Sequence, residues 1–171
     1  MAIINLNNNS LLDVTELPSG ISGQNYPAFQ AILSSSQTVG TNSSRNKILF
    51  NEEVFDTDNC YDHTTNYRFT PNVAGKYFCH FSVRHGENNT SALQEASAQI
   101  QFNGVSGIYE NWWDLSANPG KTMTPTIVTI IDFNGTTDYI EAYAWYESIA
   151  FGGTEAFSSS GTFFGAYRIG D

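Results

Sequence analysis

An alternation of apolar and polar residues with a period of two is the feature that most constrains this chain. Residues 77–84 place Tyr77, Cys79, Phe81 and Val83 on one side, and Phe78, His80, Ser82 and Arg84 on the other. Residues 95–102 place Ala96, Ala98, Ile100 and Phe102 opposite Glu95, Ser97, Gln99 and Gln101. Because successive side chains of a β-strand point to opposite faces, both segments are predicted to be strands. Residues 91–99 also have helical propensity, but the Asn103-Gly104 turn that follows them favours a strand.

A second Asn-Gly pair, Asn134-Gly135, separates the runs 126–133 and 138–146. These runs are predicted to be successive antiparallel strands joined by a loop, and residues 162–169 form a further predicted strand. The sequence shows neither an internal repeat nor a convincing helix. Short strands at this spacing, with glycine and asparagine turns, indicate an all-β sandwich or jelly roll. The length of 171 residues favours a single domain.

Two of the predicted strands are apolar on both sides. Residues 138–146 carry Ile140, Ala142, Ala144 and Tyr146 on one face, and Tyr139, Glu141, Tyr143 and Trp145 on the other. Residues 126–133 carry Ile127, Ile131 and Phe133 on one face, and Val128 and Ile130 on the other. A sandwich strand needs only one such face for its own core. The second face is therefore covered within the chain or by another subunit, and we favour a subunit interface.

Composition and charge exclude several classes of partner. The chain has 17 acidic and 7 basic residues and a net charge of −10, so we expect no nucleic-acid partner. No apolar run is long enough to cross a bilayer, and we expect no membrane insertion. The first residues do not form a signal peptide, and Cys60 and Cys79 are therefore predicted to be free thiols.

The chain is predicted to divide near residue 25. Residues 1–24 have little periodicity and include a linker with turn residues at 17–23, so we interpret them as an N-terminal arm or anchor. Residues 25–171 form the β domain.

Several segments of the β domain resemble the globular head domain of complement C-one-q, a member of the tumour-necrosis-factor-like jelly-roll superfamily. The central signature is Tyr61-Asp62, Phe69-Thr70-Pro71 and Gly75-Lys76-Tyr77-Phe78. The flanking segments that resemble the family lie at residues 28–31, 48–55, 100–104, 134–140 and 163–167. Their order and spacing over residues 26–169 make the resemblance specific. The chain departs from the family by one extra residue between Tyr61 and Phe69, by the absence of the cysteine after Phe-Thr, and by the absence of a collagen-like tract.

The resemblance implies a ten-stranded jelly roll, a tight homotrimer and a binding role, while complement activity does not carry over. A trimer of jelly rolls turns apolar strand faces towards its threefold axis. The candidates for that interface are Tyr139, Tyr143 and Trp145, because aromatic side chains bury a large area with few rotamers to order.

The sequence carries no pattern typical of an enzyme. There is no Gly-x-Ser-x-Gly motif, and His63, His80 and His85 lack the spacing of metal ligands. We therefore expect no catalytic residues and no cofactor.

An acidic segment at residues 52–62 offers a possible calcium site from Asp56, Asp58 and Asp62. Some members of the complement C-one-q family, which this chain resembles, bind calcium near the top of the trimer. The alternative, which we favour, is a solvated acidic loop.

The exposed ligand candidates are Trp112, Trp113 and Asp114, because indole rings stack on sugars and a carboxylate can bond their hydroxyls. The alternative is one tryptophan in the core and the other in a loop or subunit contact.

Two functions fit these patterns. The first is a non-enzymatic trimeric knob of a virion, such as a phage head-decoration or tail-associated (tail-fibre) protein, assembled in the host cytoplasm and anchored to the capsid or tail by residues 1–24. The second is a carbohydrate- or receptor-binding adhesion module, which would be extracellular.

Overall fold

A computed structural model describes residues 27–86 and 91–171, so the predicted N-terminal arm lies outside the described residues. The described residues form strands and no helix, and therefore contain no helix that could span a membrane. The strands are β1 (Ala28–Ile32), β2 (Gln37–Thr38), β3 (Ser44–Lys47), β4 (Glu52–Asp56), β5 (Tyr61–Asp62), β6 (Arg68–Phe69), β7 (Gly75–Gly86), β8 (Leu93–Phe102), β9 (Val105–Asp114), β10 (Thr122–Met123), β11 (Thr126–Phe133), β12 (Ile140–Ser148) and β13 (Ala156–Gly170).

These strands form two antiparallel sheets. The first sheet has the order β10-β7-β13-β1-β4, with β11 also paired to β7 and β2 paired to β13. The second sheet has the order β5-β6-β12-β8-β9, with β3 also paired to β12. The inner faces of the two sheets enclose one apolar core, and the all-β jelly-roll prediction is confirmed. Several of the thirteen segments have only two residues, which accounts for the excess over the ten strands expected.

Phe29 on β1 lies at the centre of a cluster of aromatic side chains. Its ring stacks on Tyr61 and Phe69 at centroid distances of 4.7 and 4.4 Å, and meets the edge of Phe164 at 5.1 Å. Residues from both sheets thus meet in one cluster. The apolar side of β7 faces the same core, as its alternation predicted, and is fully buried at Tyr77, Cys79, Phe81 and Val83.

The two Asn-Gly pairs play different roles. Asn103 and Gly104 have φ of 52° and 76°, the conformation of a type I′ turn, and they connect β8 and β9 as a hairpin. Asn134-Gly135 follows β11 of the first sheet and precedes β12 of the second sheet. The two strands are successive, as predicted, but they do not pair with each other. Gly135 is required there because an added Cβ would lie 2.3 Å from the Ala74 nitrogen.

The polar side of β8 corrects one sequence expectation. The alternation predicted that Ser97 and Gln99 face solvent, but both residues are fully buried. Ser97 Oγ donates a hydrogen bond to Glu110 on the neighbouring strand β9 at 2.8 Å. Within β8 itself, Gln101 Nε2 donates to Gln99 Oε1 at 2.7 Å. The outward side of this strand is thus polar but buried at Ser97, Gln99 and Gln101.

Candidate functional site

The outward face of the second sheet is built from charged and aromatic side chains, and we call it the charged face. Register places its residues on β3, β6, β9 and β12, together with Tyr139, which immediately precedes β12. Its members are Arg45, Lys47, Arg68, Glu110, Trp112, Tyr139, Glu141, Tyr143 and Trp145.

The three residues predicted to form a trimer interface all lie on the charged face. A cation of the same chain lies over each ring. The Arg68 guanidinium is 4.6 Å from the ring centroid of Tyr139, and the Lys47 ammonium is 5.9 Å from that of Tyr143. The guanidinium of Arg45 is 5.6 Å from the ring of Trp145. The interface assigned to these residues stays a prediction, but their ring faces already have partners within the chain.

Ion pairs link two of these cations, Lys47 and Arg45, to carboxylates on other strands of the sheet. Lys47 Nζ lies 2.6 Å from Glu141 Oε1, and Arg45 Nη2 lies 3.0 Å from Glu110 Oε2. Burial, reinforced by the charge of Glu141, raises the pKa of Tyr143. The charges of this face are therefore largely neutralised within the chain.

The structure separates the predicted ligand residues Trp112 and Trp113. Register places Trp112 opposite Ser97 and Trp113 opposite Ala96, so their indole rings lie on opposite sides of β9. Both are partly exposed, at 39% and 46%, so neither is a core residue. Trp112 packs against Trp145 at a centroid distance of 5.0 Å, and the guanidinium of Arg45 lies 5.8 Å from the centroid of its ring on the charged face.

Asp114 lies on the same side of β9 as Trp112 and is exposed. Its Oδ1 accepts hydrogen bonds from the hydroxyl and the backbone N–H of Ser116, and these bonds lower the pKa of Asp114. Asp114 also contributes to a row of three carboxylates across the sheet with Glu95 and Glu147. Burial and then the charges of Glu147 and Asp114 raise the pKa of Glu95. A ligand at Trp112 would therefore meet negative charge on one side.

Two of the three carboxylates predicted to bind calcium, those of Asp56 and Asp62, accept hydrogen bonds from the backbone of their own loop. Asp56 Oδ2 accepts from the Tyr61 N–H at 2.7 Å. Asp62 accepts from the backbone N–H groups of residues 64, 65 and 66, and the bond from Thr65 contributes most to a pKa well below the usual range. Among residues 27–86 and 91–171, no three His, Cys, Asp or Glu side chains are grouped as a metal site requires. Calcium binding by Asp56, Asp58 and Asp62 stays untested, and we do not propose it.

The three histidines and the two cysteines lie in different parts of the structure and do not form a common site among the described residues. His63 pairs with Glu53 at 2.6 Å on the surface. His80 and His85 lie on opposite sides of β7, as their spacing predicted: His80 faces outwards and His85 is fully buried. Cys60 and Cys79 are both buried free thiols, as expected, and burial raises the pKa of each.

A second surface lies on the outward side of the first sheet, and the sequence predicts only the part of it formed by Val128 and Ile130. We call it the aromatic face. It brings together side chains of β7, β11 and β13 that lie next to one another in register. Its members are Phe78, His80, Val128, Ile130, Phe163, Gly165 and Tyr167.

The aromatic face is apolar and open. Phe78 and Tyr167 pack with ring centroids 5.2 Å apart, and Val128 and Ile130 beside them are 59% and 56% exposed. None of the residues of this face forms one of the ion pairs or cation–π contacts found in the described part of the chain. A monomeric protein seldom exposes a contiguous patch of this kind.

A signal for this face was present in the sequence. The alternation in residues 126–133 predicts that Val128 and Ile130 form a second apolar face of their strand. Phe78 and Tyr167 lie in segments that resemble the family, and the sequence does not show that they share a surface. Only the pairing of β7 with both β11 and β13 shows that these residues are neighbours.

The order of the strands and the enclosed core define the class as an all-β jelly-roll sandwich. Solved structures of murine APRIL are similar in fold. The structure of murine APRIL at pH 5.0 matches with a TM-score of 0.58 and 9% identity, over 83% of this chain and 98% of that chain. The structure at pH 8.5 matches with a TM-score of 0.53 and 10% identity over the same shares. No family model matches the sequence, and no curated protein matches it. At such low identity the likeness concerns the fold alone.

Proposed function

We propose that this protein is a non-enzymatic homotrimer whose jelly-roll domain forms a knob, assembled through the aromatic face. The observation that carries this proposal is the exposed apolar surface of β7, β11 and β13. Burial of apolar area is the main driving force of association, and the core of a homodimer or homotrimer interface is richer in aromatic side chains than the remaining surface.

We choose the aromatic face over the charged face by comparing the free-energy change expected when each face is buried in an interface. Association through Tyr143 or Trp145 would remove paired charges such as Lys47 and Glu141 from water, which costs free energy. Association through Phe78, Ile130 and Tyr167 removes mainly apolar surface from water. The tumour-necrosis-factor-like fold, which the resemblance associates with trimers, supports three copies rather than two.

The finer proposal is that the trimer is a virion component, such as a head-decoration or tail-associated protein, anchored by residues 1–24. The net charge of −10 would limit nonspecific binding to packaged DNA. The abundance of Asn, Ser and Thr suits an uncharged, well-hydrated outer surface. Assembly in the host cytoplasm follows from this role.

A second candidate function is recognition of a glycan or receptor, supported by Trp112. Its ring is 39% exposed on the charged face, which points away from the proposed trimer interface, with the carboxylate of Asp114 on the same side of the strand. Indole stacking with a sugar ring and hydroxyl bonds to the carboxylate would form the site. This function is compatible with the virion role and would alternatively place the protein outside the cell.

The test of the trimer is the solution mass by light scattering after size exclusion. We expect three times the chain mass of 18.9 kDa. A stable species of 18.9 kDa would contradict the proposal.

The virion role is tested by deleting residues 1–24. The shortened protein should remain trimeric but no longer attach to particles, and retained attachment would rule out the anchor.

Glycan recognition is tested on a glycan array with the intact protein, Trp112→Ala and Trp113→Ala. We expect Trp112→Ala to lose binding and Trp113→Ala to keep it, because the two rings lie on opposite sides of β9. An array without hits for the intact protein would contradict this function and leave the trimer unaffected.

A further inference from the structure

His80 occupies the middle of the aromatic face. Its imidazole lies between Phe78 and Phe163, with ring centroid distances of 6.1 and 5.7 Å. On the neighbouring strands it is in register with Val128 of β11 and Gly165 of β13. Of the residues that define this face, His80 alone carries a group that titrates near neutral pH.

Gly165 provides the surface against which the imidazole packs. A Cβ added to Gly165 would lie 2.6 Å from His80 Cε1 and 2.7 Å from Nε2, closer than any real contact. Only glycine therefore allows the ring to lie against β13. The imidazole is held within the apolar surface and is half-buried even in one chain.

Within residues 27–86 and 91–171, no charged group is close enough on this face to stabilise an imidazolium. The outward positions next to His80 are uncharged on β11, β13 and β1, where they are Val128, Phe163, Gly165 and Gln30. Lys76 and Arg84 lie four residues away along β7, about 13 Å at the rise of a strand. The remaining charged residues that the structure describes on this side of the sheet are Asp132 on β11, in register with Lys76, and Glu52 on β4, in register with Ile32.

We propose that self-association through the aromatic face depends on the protonation state of His80: neutral imidazoles pack within the interface, and protonated imidazoles keep the protomers apart. This inference rests on the proposed trimer and adds its regulation. A threefold assembly brings three copies of the same face together, so three positive charges would be buried in an apolar contact without a counter-ion.

The direction of the pH effect follows from proton linkage. Burial already lowers the pKa of His80 within one chain, and further burial in the trimer lowers it again. Below the pKa of the free protomer, formation of a trimer must release three protons. The association constant should then fall about a thousandfold for each unit of pH, and it should be independent of His80 above that pKa.

The experiment is sedimentation equilibrium of the full chain from pH 7.5 to 5.0, with near-UV circular dichroism to confirm that the fold persists. The variants are His80→Gln, which cannot become charged, and His63→Gln as the control on the surface. We expect the intact protein and His63→Gln to dissociate as the pH falls, while His80→Gln remains trimeric. If glutamine itself prevents assembly at pH 7.5, His80→Leu serves as the uncharged variant.

The outcomes separate the two proposals. A trimer of the intact protein that persists to pH 5.0 overturns the role of His80 and leaves the trimer in place. Equal dissociation of the intact protein, His80→Gln and His80→Leu also overturns it, because another group would then be responsible. A monomer at pH 7.5 overturns the proposed trimer itself.

Discussion

The two outward faces of this sandwich are both rich in aromatic side chains, yet they differ in how far those rings are covered by other side chains of the same chain. On the charged face each aromatic ring of Tyr139, Tyr143 and Trp145 has a cation of the same chain over it. On the aromatic face the ring of Phe78 packs on Tyr167 and lies near the imidazole of His80, and neither Phe78 nor Tyr167 has one of the cation–π contacts found among the described residues. Aromatic content therefore does not identify an interface. The availability of the ring surface does, because only uncovered apolar area can be removed from water by a partner.

The comparison is tested most severely by placing a charge on each face. Ile130→Lys puts an ammonium on the aromatic face, and three copies would be buried without partners in the trimer. We expect a folded monomer, with a loss of association of at least about a thousandfold, corresponding to several kcal/mol. The measurement is the solution mass by light scattering.

The matched variant is Tyr143→Lys on the charged face. It should remain trimeric, because that face stays exposed in the proposed assembly. If Tyr143→Lys dissociates and Ile130→Lys does not, the interface lies on the charged face, as first predicted from Tyr139, Tyr143 and Trp145.

The two sides of β7 should respond to pH differently. His85 is fully buried, its Nε2 is 2.9 Å from the Trp145 carbonyl oxygen, and burial lowers its pKa to about 4. The unfolded chain binds this proton near pH 6.5, so the stabilisation by neutral His85 is complete above pH 6.5 and is lost as the pH falls towards 4. We expect a loss of up to about 3 kcal/mol in the free energy of unfolding.

Urea unfolding at pH 7.5, 5.5 and 4.5 measures this loss, with His85→Asn as the comparison. The variant should be less stable at pH 7.5 but should show a smaller decrease on acidification. If the free energy of unfolding falls as steeply with decreasing pH in His85→Asn as in the intact protein, carboxylates rather than His85 cause the decrease. The response of His85 concerns folding, whereas that of His80 concerns assembly.

Truncation of one aromatic residue on each face separates folding from association. Trp145→Ala removes an indole that packs on Trp112 and beneath Arg45 within the chain. We expect a loss of about 2 kcal/mol in the free energy of unfolding, roughly half that of a core tryptophan, and an unchanged trimer. Phe163→Ala should have the opposite profile, with weakened association and a smaller effect on unfolding of the protomer. Urea unfolding and sedimentation of both variants decide between these profiles.

The smallest expected effect concerns the ion pairs of the charged face. Lys47→Met removes the partner of Glu141, whose side chain is mostly buried, and should lower the free energy of unfolding by about 1 kcal/mol. Lys121→Met, at an exposed position, is the control and should change it by less than about 0.5 kcal/mol. Equal effects in urea unfolding would show that the pair with Glu141 contributes nothing specific.

The strands and their core sides were predictable because the signal is local. The alternation at 77–83 and at 126–133 identified the buried sides of β7 and β11 correctly, and the Asn103-Gly104 pair identified a hairpin. Candidate sites were less predictable. Trp112 and Trp113 are adjacent in sequence, and only the strand geometry shows that they lie on opposite sides of β9.

The sequence by itself determined the strand type, the core-facing residues and the all-β class, because a period of two and turn chemistry act over a few residues. Only the tertiary structure decided on which outward face the aromatic rings are covered by cations of the same chain. Asn134-Gly135 carries the chain from one sheet to the other, which separates Val128 and Ile130 from Tyr143 and Trp145. Strands that are tens of residues apart in sequence then pair. The pairing of β3 with β12 brings Arg45 and Lys47 to Tyr143 and Trp145, whereas the pairing of β11 with β7 brings no cation to Val128 and Ile130. A local pattern cannot encode such contacts, because they depend on which strand becomes the neighbour.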